Sequence, residues 1–173
     1  MVQAATASKP YDTTNGLLPH ATNPMKICVV DTGYDNGHPD LPSGSAVTGT
    51  DVPNNGAWDI SGQTTFHSHG THCAGTIAAI GSNDRGVVGV IPGEWSTLEL
   101  HIGKGLGDGG SAWGSDVLLA VEGCVAAGSK VISMSLGSQS YSGTADALYS
   151  SIYENDDVLV VAAAGNGGSG GKS

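Results

Sequence analysis

At 173 residues the chain suits a single domain, one that buries about 70% of the surface its unfolded form exposes. Six Lys and Arg against 16 Asp and Glu give a formal charge of −10, which argues against nucleic acid or an anionic membrane as a partner. A charged fraction of 13% excludes an acidic disordered tail, and 28 Gly without a Gly-X-Y period exclude collagen and point to many tight turns.

Residues 1–24 are polar and irregular, with three prolines, and read as an approach segment to a core at 25–173. The first ten residues show neither the basic region nor the apolar run of a secretory signal, and no apolar run approaches a membrane span. MKICVVD at 25–31 is a short β-branched apolar run ending on an acid, which predicts a buried strand. Turn residues dominate 32–62, with a short strand at 46–50, and small and apolar residues from Gly70 to Ile80 predict a helix packed closely on a sheet. Leu98–Ile102 reads as a strand and 103–114 as a glycine-rich loop. Ser115–Ala127 reads as a helix with Ser115 as N-cap and Gly128 just past its end. A strand at Val131–Leu136, an amphipathic helix at Gly143–Asn155 and a strand at Val158–Ala164 complete the series. Helices alternating with wholly apolar strands predict a three-layer α/β fold with a mainly parallel sheet. Since the chain holds one Phe, its core must rest on Val, Ile, Leu and Ala.

Ligands in such folds sit at the carboxyl ends of the strands. There the sequence places Asp31 in VVDTGYDNGHPDL, Ser133–Ser138 in SMSLGS and Asn166 in AAAGN, while His69 in FHSHGTHCAGTIAA opens a helix. A carboxylate that fixes an imidazole tautomer, an imidazole that deprotonates a hydroxyl and an amide that donates to an oxyanion are the parts of an acyl-transfer site. Competing readings are weaker. DTG is also the aspartic-peptidase tripeptide, but here one copy sits in an alternating α/β pattern. GNGGSGGKS approaches a phosphate loop but has Asn166 where that loop needs Gly. His67, His69 and His72 could hold zinc, although zinc on His69 would block its use as a base; without zinc, His72 reads as a hydrogen-bonded packing residue. Of the cysteines, Cys73 reads as a small buried residue, and spacing alone leaves a Cys28–Cys124 pair open.

DTGYDNGHPDL, HGTHCAGTIAA, VISMSLGS and VVAAAGNGG resemble, in that order, the marker segments of the subtilisin-like serine peptidases (subtilases, peptidase S8), over about Ile27 to Gly168. The resemblance implies a subtilisin-like fold, incomplete at its C-terminus, and secretion. It assigns Asp31 as the triad acid, His69 as the general base and Asn166 as the oxyanion amide. Gly110, Ser111 and Ala112 would form one edge of the substrate cleft and Ser135, Leu136 and Gly137 the other, with a polypeptide between them. The chemistry needs no cofactor. A structural Ca2+ is implied at Asp40 with the loop Ile80–Val87, although Arg85 lies inside that loop; the plain alternative is a surface Asp after Pro39. Some proteinase K-like members carry a thiol beneath the His, as Cys73 would. The family's nucleophile lies in a Gly-Thr-Ser segment, and none occurs in these 173 residues. The chain is therefore expected to be one part of a serine endopeptidase, inactive alone and completed by a further segment of the same domain. The strands at 27–31, 131–136 and 158–164 are expected to lack cover on one side. The alternatives are a non-catalytic pseudopeptidase or peptide-binding module, and a zinc hydrolase.

Overall fold

The computed structural model describes residues 24–63, 68–91, 98–138 and 140–166. Nearly all of the approach segment therefore lies outside the described residues, as does His67. Five strands form one sheet, β1 (Met25–Asp31), β2 (Val47–Thr50), β3 (Leu98–Lys104), β4 (Val131–Met134) and β5 (Leu159–Ala162), in the order β2-β3-β1-β4-β5. Every pairing is parallel, so all five carboxyl ends lie along one edge. Among the described residues three α-helices pack on the sheet: α1 (His69–Ala78), α2 (Gly114–Ala126) and α3 (Gly143–Asn155). After β1 the chain builds the sheet first on one side and then on the other, which opens a crevice at the carboxyl end of β1.

The pleat of β1 sorts its residues between two cores. Cys28 and Val30 pack with Ala120, Val121 and Cys124 of α2 and Ile152 of α3. Val29 packs with Ala74 of α1 and with Leu100 and Ile102 of β3, and Ile27 packs with Ala78 and Leu98. The three expected layers are therefore present, with α1 on one face and α2 and α3 on the other. By the same alternation Asp31 falls on the α1 face. Cys28 and Cys124 form a disulfide, S–S 2.06 Å and Cα–Cα 5.8 Å, that fastens α2 to the central strand.

The sequence limits shift where side chains decide. β3 runs on through Gly103 and Lys104, because both pair with the last two residues of β1. α1 begins at His69 and α2 at Gly114, with Trp113 rather than Ser115 at the N-cap position and no side-chain cap bond. Gly128, with φ +80°, does follow α2 as the left-handed terminating residue. α3 keeps its expected limits, and the Ser142 hydroxyl caps it by accepting from the Ala145 N–H at 3.3 Å. β4 stops at Met134, and β5 spans only Leu159–Ala162. The expected loss of cover does not reach β1, which is buried from Ile27 to Asp31; β5 carries it, with Leu159 and Val161 each about half exposed.

Two predictions follow from this packing. The disulfide closes a loop of 96 residues, so replacing both cysteines by Ala should cost about 3–5 kcal/mol of unfolding free energy, read from denaturant melts of variant and parent. His101 sits on β3 beneath the threonines of β2, with Nδ1 2.8 Å from Thr48 Oγ1 and Nε2 2.9 Å from Thr50 Oγ1. Burial, with a smaller push from Lys26, lowers its pKa from 6.5 to about 4. Between those values the unfolded chain binds the proton and the folded chain does not, so stability rises with pH there. It should be fully present above about pH 6.5 and fall by about 3 kcal/mol towards pH 4, a slope that flattens in His101→Gln.

Candidate active site

Asp31 is the last residue of the central strand and is fully buried, so its carboxylate oxygens need donors. Oδ1 accepts the N–H of Thr32 at 2.7 Å. The imidazole of His69 supplies a further donor, with Nδ1 2.8 Å from Oδ1 and 2.9 Å from Oδ2. A carboxylate acceptor assigns the proton to Nδ1, which orients the ring and leaves Nε2 as its basic nitrogen. The fit depends on two close approaches. The Gly70 N–H donates to the Thr32 hydroxyl at 3.0 Å, which seats the first turn of α1 on the end of β1. A Cβ on Gly70 would overlap the carbonyl oxygen of Gly33 and touch Cβ of Asp31 at 3.0 Å, so only Gly lets helix and turn meet. Gly33 itself adopts φ +106°, a left-handed conformation that turns the chain away from the strand.

His69 and Thr32 lie on the wall of an open groove of about 1030 Å³. Gly110, Ser111 and Ala112 line it, as do Ser135, Leu136 and Gly137. The two segments expected to form the cleft edges thus border the same space as the imidazole. Further along, Tyr149 of α3, Met134 and Val160 give the groove an apolar floor. Asn166 lies exposed past the end of β5, on the same sheet edge but outside the groove lining. Two further residues, which no motif singles out, support the pair. Lys104, fully buried, donates from Nζ to the Thr32 carbonyl at 2.6 Å, and the Asn55 amide donates to the carbonyls of Lys104 and Gly105 at 3.1 and 2.9 Å.

The remaining candidates divide. Cys73 is a free thiol and only partly buried, contrary to the core reading; its Sγ is 3.8 Å from His69 Nδ1. Burial pushes its pKa up, which keeps it a thiol rather than a thiolate nucleophile. His72 is exposed on α1, not a packing residue. Among the described residues the group of three with converging metal-ligand atoms is Asp31, His69 and Cys73, so a metal there would compete for the same imidazole. Asp40 is buried, not a surface residue: its Oδ1 accepts from the Asn83 amide at 2.8 Å and its Oδ2 from the Val87 N–H at 2.9 Å. Its carbonyl accepts from the Ile80 N–H at 2.9 Å. Those hydrogen bonds, the Val87 one first, hold its carboxyl below the usual range. Each carboxylate oxygen keeps a second lone pair, so these two bonds do not by themselves bar a hard cation from Asp40.

A model of the subtilase family matches residues 22–173. Thermitase of Thermoactinomyces vulgaris is 38% identical over 83% of this chain and 48% of its own length. Subtilisin Savinase of Lederbergia lenta is 39% identical over 84% of this chain and 49% of its own. The crystal structure of the psychrophilic subtilisin-like protease Apa1 from the Antarctic psychrotroph Pseudoalteromonas sp. AS-11 superposes with a TM-score of 0.70 at 41% identity, over 83% of this chain and 32% of that one. The chain thus spans about half or less of the length of the relatives it matches.

Gly70→Ala tests the close approach. The added methyl should cost about 1–3 kcal/mol in thermal or denaturant melts and abolish the downfield Nδ1–H proton signal of His69.

Proposed function

The chain belongs to the subtilase family, and on that premise we propose that it carries the acid, the base and the substrate cleft of a secreted serine endopeptidase. The observation that supports this most is the buried Asp31 carboxylate bound to His69 Nδ1 at the mouth of the groove. In the proposed reaction Asp31 holds the Nδ1–H tautomer and stabilises the imidazolium. Nε2 of His69 takes the proton of a serine hydroxyl as that oxygen attacks the scissile carbonyl, and returns it to the leaving amine. An extended polypeptide lies between Gly110–Ala112 and Ser135–Gly137, bonded along its main chain. The Asn166 amide donates to the tetrahedral oxyanion, which requires the segment after β5 to swing it towards the groove. No step uses a cofactor. With no Gly-Thr-Ser among these residues, the nucleophile is assigned to a serine segment that joins the fold from elsewhere. The Cys28–Cys124 disulfide supports an oxidising, extracellular setting. A second reading is a module that binds extended peptides in the same groove without cutting them.

Peptide hydrolysis and fluorophosphonate labelling separate the two. The 173-residue chain alone should leave both a peptide substrate and the probe unreacted. Supplied in trans with a segment bearing Gly-Thr-Ser, it should cleave, and Asp31→Ala should lower the rate on the order of 10⁴-fold and His69→Ala on the order of 10⁶-fold. Cleavage that survives both substitutions overturns the assignment. Peptide binding without cleavage in the complemented protein establishes the second reading.

A further inference from the structure

We infer that Lys104 is a positioning residue which ties one edge of the cleft to the Asp31–His69 pair, an inference that rests on the reading just given. Lys104 ends β3 directly beside Asp31 in the parallel register. Alternation along β3 puts it on the same face as Leu100 and Ile102, the face of α1. Its ammonium is sealed from solvent, its side chain 1% exposed, so it must be paired. Nζ spends its donors on two acceptors, the Thr32 carbonyl at 2.6 Å and Asp108 Oδ1 at 2.6 Å.

The first acceptor leads to the pair. Thr32 is the residue whose N–H bonds Asp31 Oδ1 and whose hydroxyl receives the Gly70 N–H, one residue on from His69. A single ammonium therefore anchors the residue whose N–H holds the carboxylate and whose hydroxyl holds the start of the histidine helix. The anchor has a fixed origin, because Asn55 holds the carbonyls of Lys104 and Gly105 and Leu106 N–H bonds the Asp31 carbonyl at 3.0 Å. The second acceptor leads to the cleft. Asp108 stands in the loop that presents Gly110, Ser111 and Ala112, a loop closed on itself by Gly107 N–H to Ser111 O at 3.0 Å and Gly110 N–H to Gly107 O at 2.9 Å. Unlike Lys104, the Asp108 side chain is 52% exposed. A lysine needed only for the core would not require a solvent-facing partner in the substrate loop. With this arrangement a peptide bedding onto 110–112 steadies Asp108, then the ammonium, then Thr32 and the orientation of Asp31 towards the imidazole.

The test reads the His69 Nδ1–H proton by NMR in the 173-residue chain, which needs no turnover. Lys104→Met should raise its solvent exchange about tenfold or erase the signal, and Lys104→Arg should restore it in part. Asp108→Asn, which removes the charge but keeps a side-chain oxygen for the buried ammonium, serves should Lys104→Met fail to fold; it should raise the exchange by about threefold. A drop in melting temperature with the Nδ1–H shift and exchange unchanged in both Lys104→Met and Asp108→Asn makes Lys104 merely structural and overturns the inference. The readout is independent of the serine reading. A responsive signal in a complemented protein that never cleaves peptide removes the endopeptidase and leaves the positioning, whereas cleavage with an unresponsive signal removes the positioning alone.

Discussion

A carboxylate with no access to water sits at the centre of this molecule. Asp31 closes the middle strand of the sheet, and its oxygens cannot be left without donors there. The Thr32 N–H meets one, and the rest of the demand calls for a ring nitrogen from α1. That requirement places the first turn of α1 against the strand end and admits only Gly at position 70. It also bends the chain through a left-handed Gly33 and buries a lysine against the carbonyl of Thr32. The groove then opens at the edge where strand ends, helix start and glycine loops converge.

Much of this was legible from pattern. A β-branched run ending in Asp located β1 to the residue, and an amphipathic run located α3 to the residue, since both signals are local. The marker strings also placed Asp31, His69 and the two cleft edges on one sheet edge, where the fold has them. What stayed hidden depended on partners far along the chain. Gly103 and Lys104 carry no strand signal, yet they extend β3 because Val30 and Asp31 offer a ladder to pair with. Trp113 precedes α2 without any capping chemistry, so packing sets that start. Asp40 read as a calcium ligand or a surface Asp, and only the fold brings Asn83 and Val87 to its two oxygens. Nor did spacing pair Cys28 with Cys124, since strand and helix meet there only through the crossover.

Cover is uneven across the sheet. On one side of β1 the pleat is sealed by α2, α3 and the disulfide; on the other α1 covers β1 and β3. β5 has β4 on one flank, and alternate residues, Leu159 and Val161, turn outwards half exposed. Such a strand can be stable only while its other residues, such as Val160 against the α2–α3 core, hold it down. Stability is therefore graded from a rigid centre, where Asp31 sits, to a looser margin that carries Asn166.

The all-parallel ladder also sets the order of events as the chain folds. No two neighbouring strands can be joined by a hairpin, and Ile27 must find Val131 across 104 intervening steps of sequence. Contacts so distant reward the chain only after most of its entropy of closure has been spent, so assembly should be slow. Throughout that delay the apolar strands are unpaired and sticky. Once Cys28 and Cys124 join, the central strand and its covering helix are committed to each other, and the search that remains is confined to a ring already holding the histidine helix.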